Sequence, residues 1–147
     1  MTYETAVAEL FERFPDMRSR YRSEFDAMGE EAPAYVVFGS LLVPTLEAAL
    51  ERRDLRTILT ICAYLEDASE SAGTDSRLHD LIRIEIGEWL GVAANEEVLS
   101  PWLGAETKRI CGYVPGLATQ RRTLKMERDR NRWGHRIAAF LKKRFGR

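Results

Sequence analysis

The sequence predicts an all-α fold: a compact bundle, or a short α-solenoid-like array, of six to seven helices. Three observations carry this. Apolar residues recur at steps of three and four through most of the chain. Residues suited to helix starts and stops stand between those stretches. The short β-rich runs at 35–38 and 82–86 are embedded in helical periodicity, so neither reads as a strand. A length of 147 residues fits one domain. That domain divides into an acidic helical body, 1–118, and a basic C-terminal helix, 119–147.

Taken in order, Thr2 is placed to cap a first helix with the stripe Val7, Leu10, Phe11 and Phe14. Pro15 and Asp16 open a second. Met17, Tyr21, Phe25 and Met28 follow at intervals of four or three, and Gly29 is placed to end it. Arg18, Arg20 and Arg22 form a solvated face, pairing at most with Glu24 or Asp26. Residues 30–33 connect into the stretch 34–90, around which the rest is organised.

That stretch reads as three amphipathic helices joined by very short turns. The first has Tyr35, Phe38, Leu41, Leu42, Thr45, Leu46, Ala49 and Leu50 on one face. Pro44 lacks the N–H that would bond back to Ser40, so a kink or break is expected between Gly39 and Pro44, leaving two shorter packed segments. Asp54, with Thr57 three residues on, caps the second, whose stripe is Leu55, Ile58, Leu59, Cys62 and Leu65. Residues 69–75 read as a turn. Thr74, Asp75 or Ser76 then caps the third, with Leu78, Leu81, Ile82, Ile86, Trp89 and Leu90 buried and Gly91 as its stop. Turns this short make the three antiparallel neighbours.

Residues 92–99 fit no single pattern. Ser100-Pro101 resembles a helix start, and the helix it opens runs through Glu106, Ile110 and Tyr113 unless it breaks at Gly104. Val114-Pro115-Gly116 is a turn. The tail is one charged helix with Trp133, Ile137, Phe140, Leu141 and Phe145 on its apolar side.

Charge is distributed unevenly. Residues 1–100 hold 9 Lys+Arg and 20 Asp+Glu, a net of −11, while residues 101–147 hold 13 and 3, a net of +10. The carboxylates Glu66, Asp67, Glu70, Asp75 and Asp80 bracket the turn between the second and third central helices, with Glu85 and Glu88 beyond. They are the candidate surface for a basic protein partner, captured with electrostatic steering. In the tail, Arg121, Arg122, Lys125, Arg128 and Arg132 are the candidate basic patch. It would serve either nucleic-acid phosphates or the acidic body of the same chain or of another copy.

Several chemistries leave no trace in the sequence. There is no phosphate-binding glycine loop and no nucleophile elbow. His79 and His135 have no metal-ligand spacing around them, and Asp75 with His79 makes only an i, i+4 pair. Cys62 and Cys111 are far apart and form no C-x-x-C motif, so both are expected as reduced thiols. No metal, no cofactor and no catalytic residue is expected. The first residues lack a basic start followed by an apolar stretch, and no apolar run reads as a membrane span. A cytoplasmic protein without membrane contact is the expectation.

Short motifs add a family likeness. They are Phe14-Pro15, Leu42-Val43-Pro44-Thr45-Leu46, Ile61-Cys62-Ala63-Tyr64-Leu65-Glu66, Ile84-Glu85-Ile86-Gly87-Glu88-Trp89-Leu90 and Leu103-Gly104-Ala105-Glu106-Thr107-Lys108. Over residues 10–112 the layout resembles a family of small all-helical bacterial proteins, some grouped with polymorphic-toxin immunity proteins. The family often carries proline where Ala105 stands, and the basic tail departs from its pattern. The resemblance implies a helical fold and a non-catalytic binding role, with toxin neutralisation as the particular case. Nucleic-acid binding through the tail, and a homo-oligomer whose tail packs on the body, are the alternatives.

Overall fold

The computed structural model describes residues 1–25, 33–113 and 116. It is 83% helical, has seven helices, the continuous run Ala34–Arg52 being counted once, and contains no strand in that part, so the all-α expectation holds. Local sequence signals place the first two helices correctly. Helix α1, Tyr3–Arg13, starts at Thr2, whose hydroxyl accepts from Thr5 N–H at 3.3 Å while the Thr5 hydroxyl accepts from Thr2 N–H at 2.9 Å. It buries Ala6, Leu10 and Phe11. Helix α2, Pro15–Phe25, buries Met17 and Tyr21, and its Arg20 pairs with Glu24 at 3.4 Å. Met28 and Gly29 lie outside the described residues.

The next run, Ala34–Arg52, is continuous. It comprises α3, Ala34–Val37, a π turn at Phe38–Leu42, and α4, Val43–Arg52. Of the kink or break expected between Gly39 and Pro44, the break is absent. A widened turn takes its place, in which Val43 N–H reaches the Phe38 carbonyl five residues back. The extra residue in that turn accommodates the proline ring and its missing donor without severing the helix. Thr45 Oγ1 then donates to the Leu41 carbonyl at 2.6 Å. This run is the one helix among the described residues long and apolar enough to cross a membrane by length and composition, a test that a buried core helix also passes. Its Val37, Phe38, Leu41, Leu42 and Leu46 are fully buried in the core.

A left-handed residue, Arg53, turns the chain into α5, Leu55–Ser71. Asp54 caps α5 as expected, accepting from Thr57 N–H at 3.2 Å and from its hydroxyl at 2.7 Å. Two expectations for α5 need correction. It continues past 69 to Ser71, and the turn that follows is a tight helical one, Ala72–Thr74. Ser69 is fully buried and donates to Thr107 Oγ1 at 3.1 Å, so a residue that looked like loop is core. The buried face is also rotated from the expected stripe. Ile58, Ile61, Cys62, Tyr64, Leu65 and Ala68 face inward, whereas Leu55 and Leu59 are 51% and 48% exposed.

Helix α5 is the hub, packed against α1, α4, α6 and α8. Its Tyr64 is fully buried; the hydroxyl donates to the Ala6 carbonyl at 2.8 Å and the ring lies against Phe38. Helix α6, Ser76–Leu90, begins at the Asp75 cap and stops at Gly91, burying Leu78, Leu81, Ile82, Ile86 and Leu90. The undecided stretch contains α7, Ala93–Leu99. Asn95 lies inside it, and its amide donates to the Trp89 carbonyl at 3.0 Å. Helix α8, Ala105–Ile110, starts after Gly104, and Ser100-Pro101 is a turn and not a helix start.

Candidate functional site

The five acidic candidates separate into two kinds. Glu66 and Asp75 bind backbone within the fold. Glu66 crosses from α5 to the start of α8, where it accepts from Glu106 N–H at 2.9 Å, Thr107 N–H at 2.9 Å and the Thr107 hydroxyl at 2.8 Å. Helix α8 has no cap from its own sequence neighbours, so a carboxylate about 40 positions away supplies one. Burial alone would raise the Glu66 pKa; the hydrogen bonds from Thr107 and Glu106 outweigh it and hold it below the usual 4.5. A Cβ on Gly104 would overlap that carboxylate, so glycine leaves the room it occupies.

Asp75 caps α6 through Arg77 and Leu78 N–H at 3.0 and 3.1 Å and also accepts from Tyr3 N–H at 2.7 Å. The Tyr3 bond, followed by that from Leu78, keeps its pKa low. The chain start is thereby fastened to the start of α6. Arg77 adds to the same fastening, meeting Glu4 at 2.6 Å and lying over the Tyr3 ring at 3.9 Å.

Asp67, Glu70 and Asp80 remain at the surface. Asp67 pairs with Arg13 at 2.6 Å. Asp80 lies 3.4 Å from Arg83 Nε and 3.7 Å from His79 Nδ1. Glu70 is exposed and has no side-chain partner among the described residues. Exposed pairs of this kind contribute about 0–1 kcal/mol each, so the arrangement is a solvated acidic rim around the α5–α6 turn with one carboxylate left open. The basic candidates Arg121, Arg122, Lys125, Arg128 and Arg132 lie outside the described residues.

Sequence reasoning placed Glu85 only as a carboxylate beyond the rim, and the structure sets it in a second group. Glu85 on α6 sits against the π turn, and a Cβ added at Gly39 would lie 2.8 Å from its Oε2. Burial, then the charge of Glu88, raises its pKa above 4.5. Nearby on the same helices, Trp89 Nε1 donates to Glu47 at 2.7 Å. The signal was present in Pro44 and Gly39 together, but it takes the packing of α6 to show which side chain meets the widened turn.

No three His, Cys, Asp or Glu side chains among the described residues gather into a metal-ligand group. Cys62 and Cys111 are free thiols, pushed by burial to about 11 and about 12. At neutral pH both are protonated and weakly nucleophilic. The class these features define is an all-helical single-hub array with an acidic rim. Comparisons with protein families, with curated proteins and with solved structures find no match.

Proposed function

We propose that this chain is a non-catalytic protein-binding module whose partner presents a basic surface to the rim of the α5–α6 turn. The observation that carries this is Glu70: an exposed carboxylate without a side-chain partner among the described residues, one turn from Asp67 on its own helix, with Asp80 in the first turns of the helix that follows. The acidic balance of residues 1–100 supports it, because a net of −11 attracts cations from beyond contact distance. The toxin-neutralising role implied by the family resemblance is the particular form of this reading, in a bacterial cytoplasm. A nucleic-acid role for the tail is the second reading, favoured by 11 Lys+Arg against 2 acids over residues 121–147.

The test is a pull-down from lysate of the source cell with the full chain, a chain ending at Ala118, and the double variant Glu70→Lys with Asp80→Lys. Glu66 and Asp75 are left alone because reversing them would remove caps of α8 and α6. A nuclease-resistant protein retained by both lengths and lost by the double variant is the expected result. Retention by the double variant would remove this rim as the site. Nuclease-sensitive material lost with the tail would put the second reading first.

A further inference from the structure

The outward strip of α5 is left uncovered by α1, α4, α6 and α8. Its residues are Leu55, Arg56, Leu59, Ala63, Asp67 and Glu70, all exposed. Leu55 and Leu59 are large apolar side chains about half open to solvent, one turn apart. Arg56 and Glu70 have no salt bridge or side-chain hydrogen bond among the described residues. Arg52 and Arg53, also exposed, stand at the same end with the exposed Glu51 and Asp54, and Asp67 is paired with Arg13. The charges without a salt bridge on the strip are therefore Arg56 at its start and Glu70 at its end, with an apolar and small middle.

The spacing gives this polarity a consequence. Arg56 and Glu70 each stand seven residues from Ala63, which is two helical turns in either direction on the same face. Two such strips laid antiparallel, with Ala63 on the two-fold axis, set each Arg56 opposite the other copy's Glu70. The same alignment puts Leu59 of each copy one turn from the axis, its stem beside Ala63 and facing the other copy's Asp67, and the small Ala63 allows the helices to approach closely. A parallel arrangement would set arginine on arginine.

We infer that this strip is the interface of a two-fold, antiparallel homodimer formed through α5. A second copy is the occupant the charges select. The basic tail would meet the arginines at one end, and an anionic bilayer would meet Asp67 and Glu70 at the other. Only a helix with the reversed polarity satisfies both ends, and the chain carries that helix itself. One helix pair buries less than the roughly 1,600 Å² of a standard interface, so the dimer forms at high protein concentration and separates on dilution.

The experiment is sedimentation velocity of the full chain over a concentration series in low salt. The variants are Arg56→Glu, Glu70→Arg, the two together, and Leu59→Glu, each checked by circular dichroism for an unchanged helical spectrum. The wild type is expected to move toward twice its 16.8 kDa mass as concentration rises. Each single charge reversal converts two attractive pairs into two repulsive ones and weakens association about tenfold or more. Leu59→Glu weakens it as well, by setting a carboxylate opposite the other copy's Asp67, and the double reversal restores it. A wild type still monomeric near ~1 mM, a dimer indifferent to Arg56→Glu or Leu59→Glu, or a double reversal without rescue overturns the inference. Arg56 and Leu59 lie off the acidic rim. Loss of the dimer with unchanged partner capture, or the reverse, therefore tells this interface apart from the proposed binding role.

Discussion

Glu66 shows how one carboxylate fixes a distant element. Three donors converge on it, two of them backbone N–H groups that α8 would otherwise leave unpaired. Glu66→Ala should therefore cost about 1–3 kcal/mol, measured by urea unfolding at pH 7. Its folded pKa lies below 4.5, so its charge-dependent stabilisation is full above the unfolded value and is lost as pH falls through the folded one. The gap between wild type and Glu66→Gln should narrow when the unfolding is repeated at acid pH. Glu85 has the opposite sign. Its pKa is raised by burial and by Glu88, so the protonated form suits the fold and ionisation penalises it as pH rises. Glu85→Gln should raise the melting temperature at pH 7 and leave it unchanged well below 4.5. Equal gains at both pH values would mean that packing, and not charge, makes the difference.

At the scale of elements, the junction between α4 and α5 is tight because Arg53 takes φ 56° and ψ 35°. It is the one non-glycine residue with positive φ among the described residues. Asp54 N–H bonds to the Ala49 carbonyl at 2.9 Å and Arg53 N–H to Leu50 at 3.2 Å, the pairing of a helix end that favours glycine in the left-handed place. Replacing Arg53 by glycine removes a backbone cost of about 1–2 kcal/mol and adds back a smaller unfolded-state entropy. The expected net is a stabilisation of about 0.5–1 kcal/mol, read as a shift in the urea midpoint. In the same run, the π turn at Phe38–Leu42 shows a proline handled by widening one turn, where local rules predict a break.

The whole molecule is held by contacts that return to α5 and to the chain start. Tyr64 joins α1 to the hub through the Ala6 carbonyl, and Arg13 lies 5.3 Å from the centre of its ring while pairing with Asp67. Tyr3 N–H on Asp75 fastens the same helix to α6. Tyr64→Phe keeps the ring and removes the buried donor, so it should cost about 0.5–1.5 kcal/mol. The loss should appear in global unfolding, because the bond joins elements 58 positions apart. If only α1 loosens, with hydrogen exchange faster there and the unfolding midpoint unmoved, Tyr64 is a local tether and not part of the global core.

Much was legible beforehand, and for one reason. The caps at Thr2, Asp54 and Asp75 and the apolar stripes of α1, α2, α4 and α6 depend on partners within four residues, so the sequence carries them directly. The helical class, the order of the helices as far as α6 and the opposite charges of the two parts of the sequence were determined at that level. Packing decided what local spacing leaves open. Periodicity gives a stripe but not which edge of it a neighbour covers, so Leu55 and Leu59 looked buried and are exposed, while Ser69 looked like loop and is core. Glu66 read as a surface acid because its three donors lie about 40 residues away. Burial and capping across that distance belong to pairs of elements, and they exist only once α5 and α8 have met.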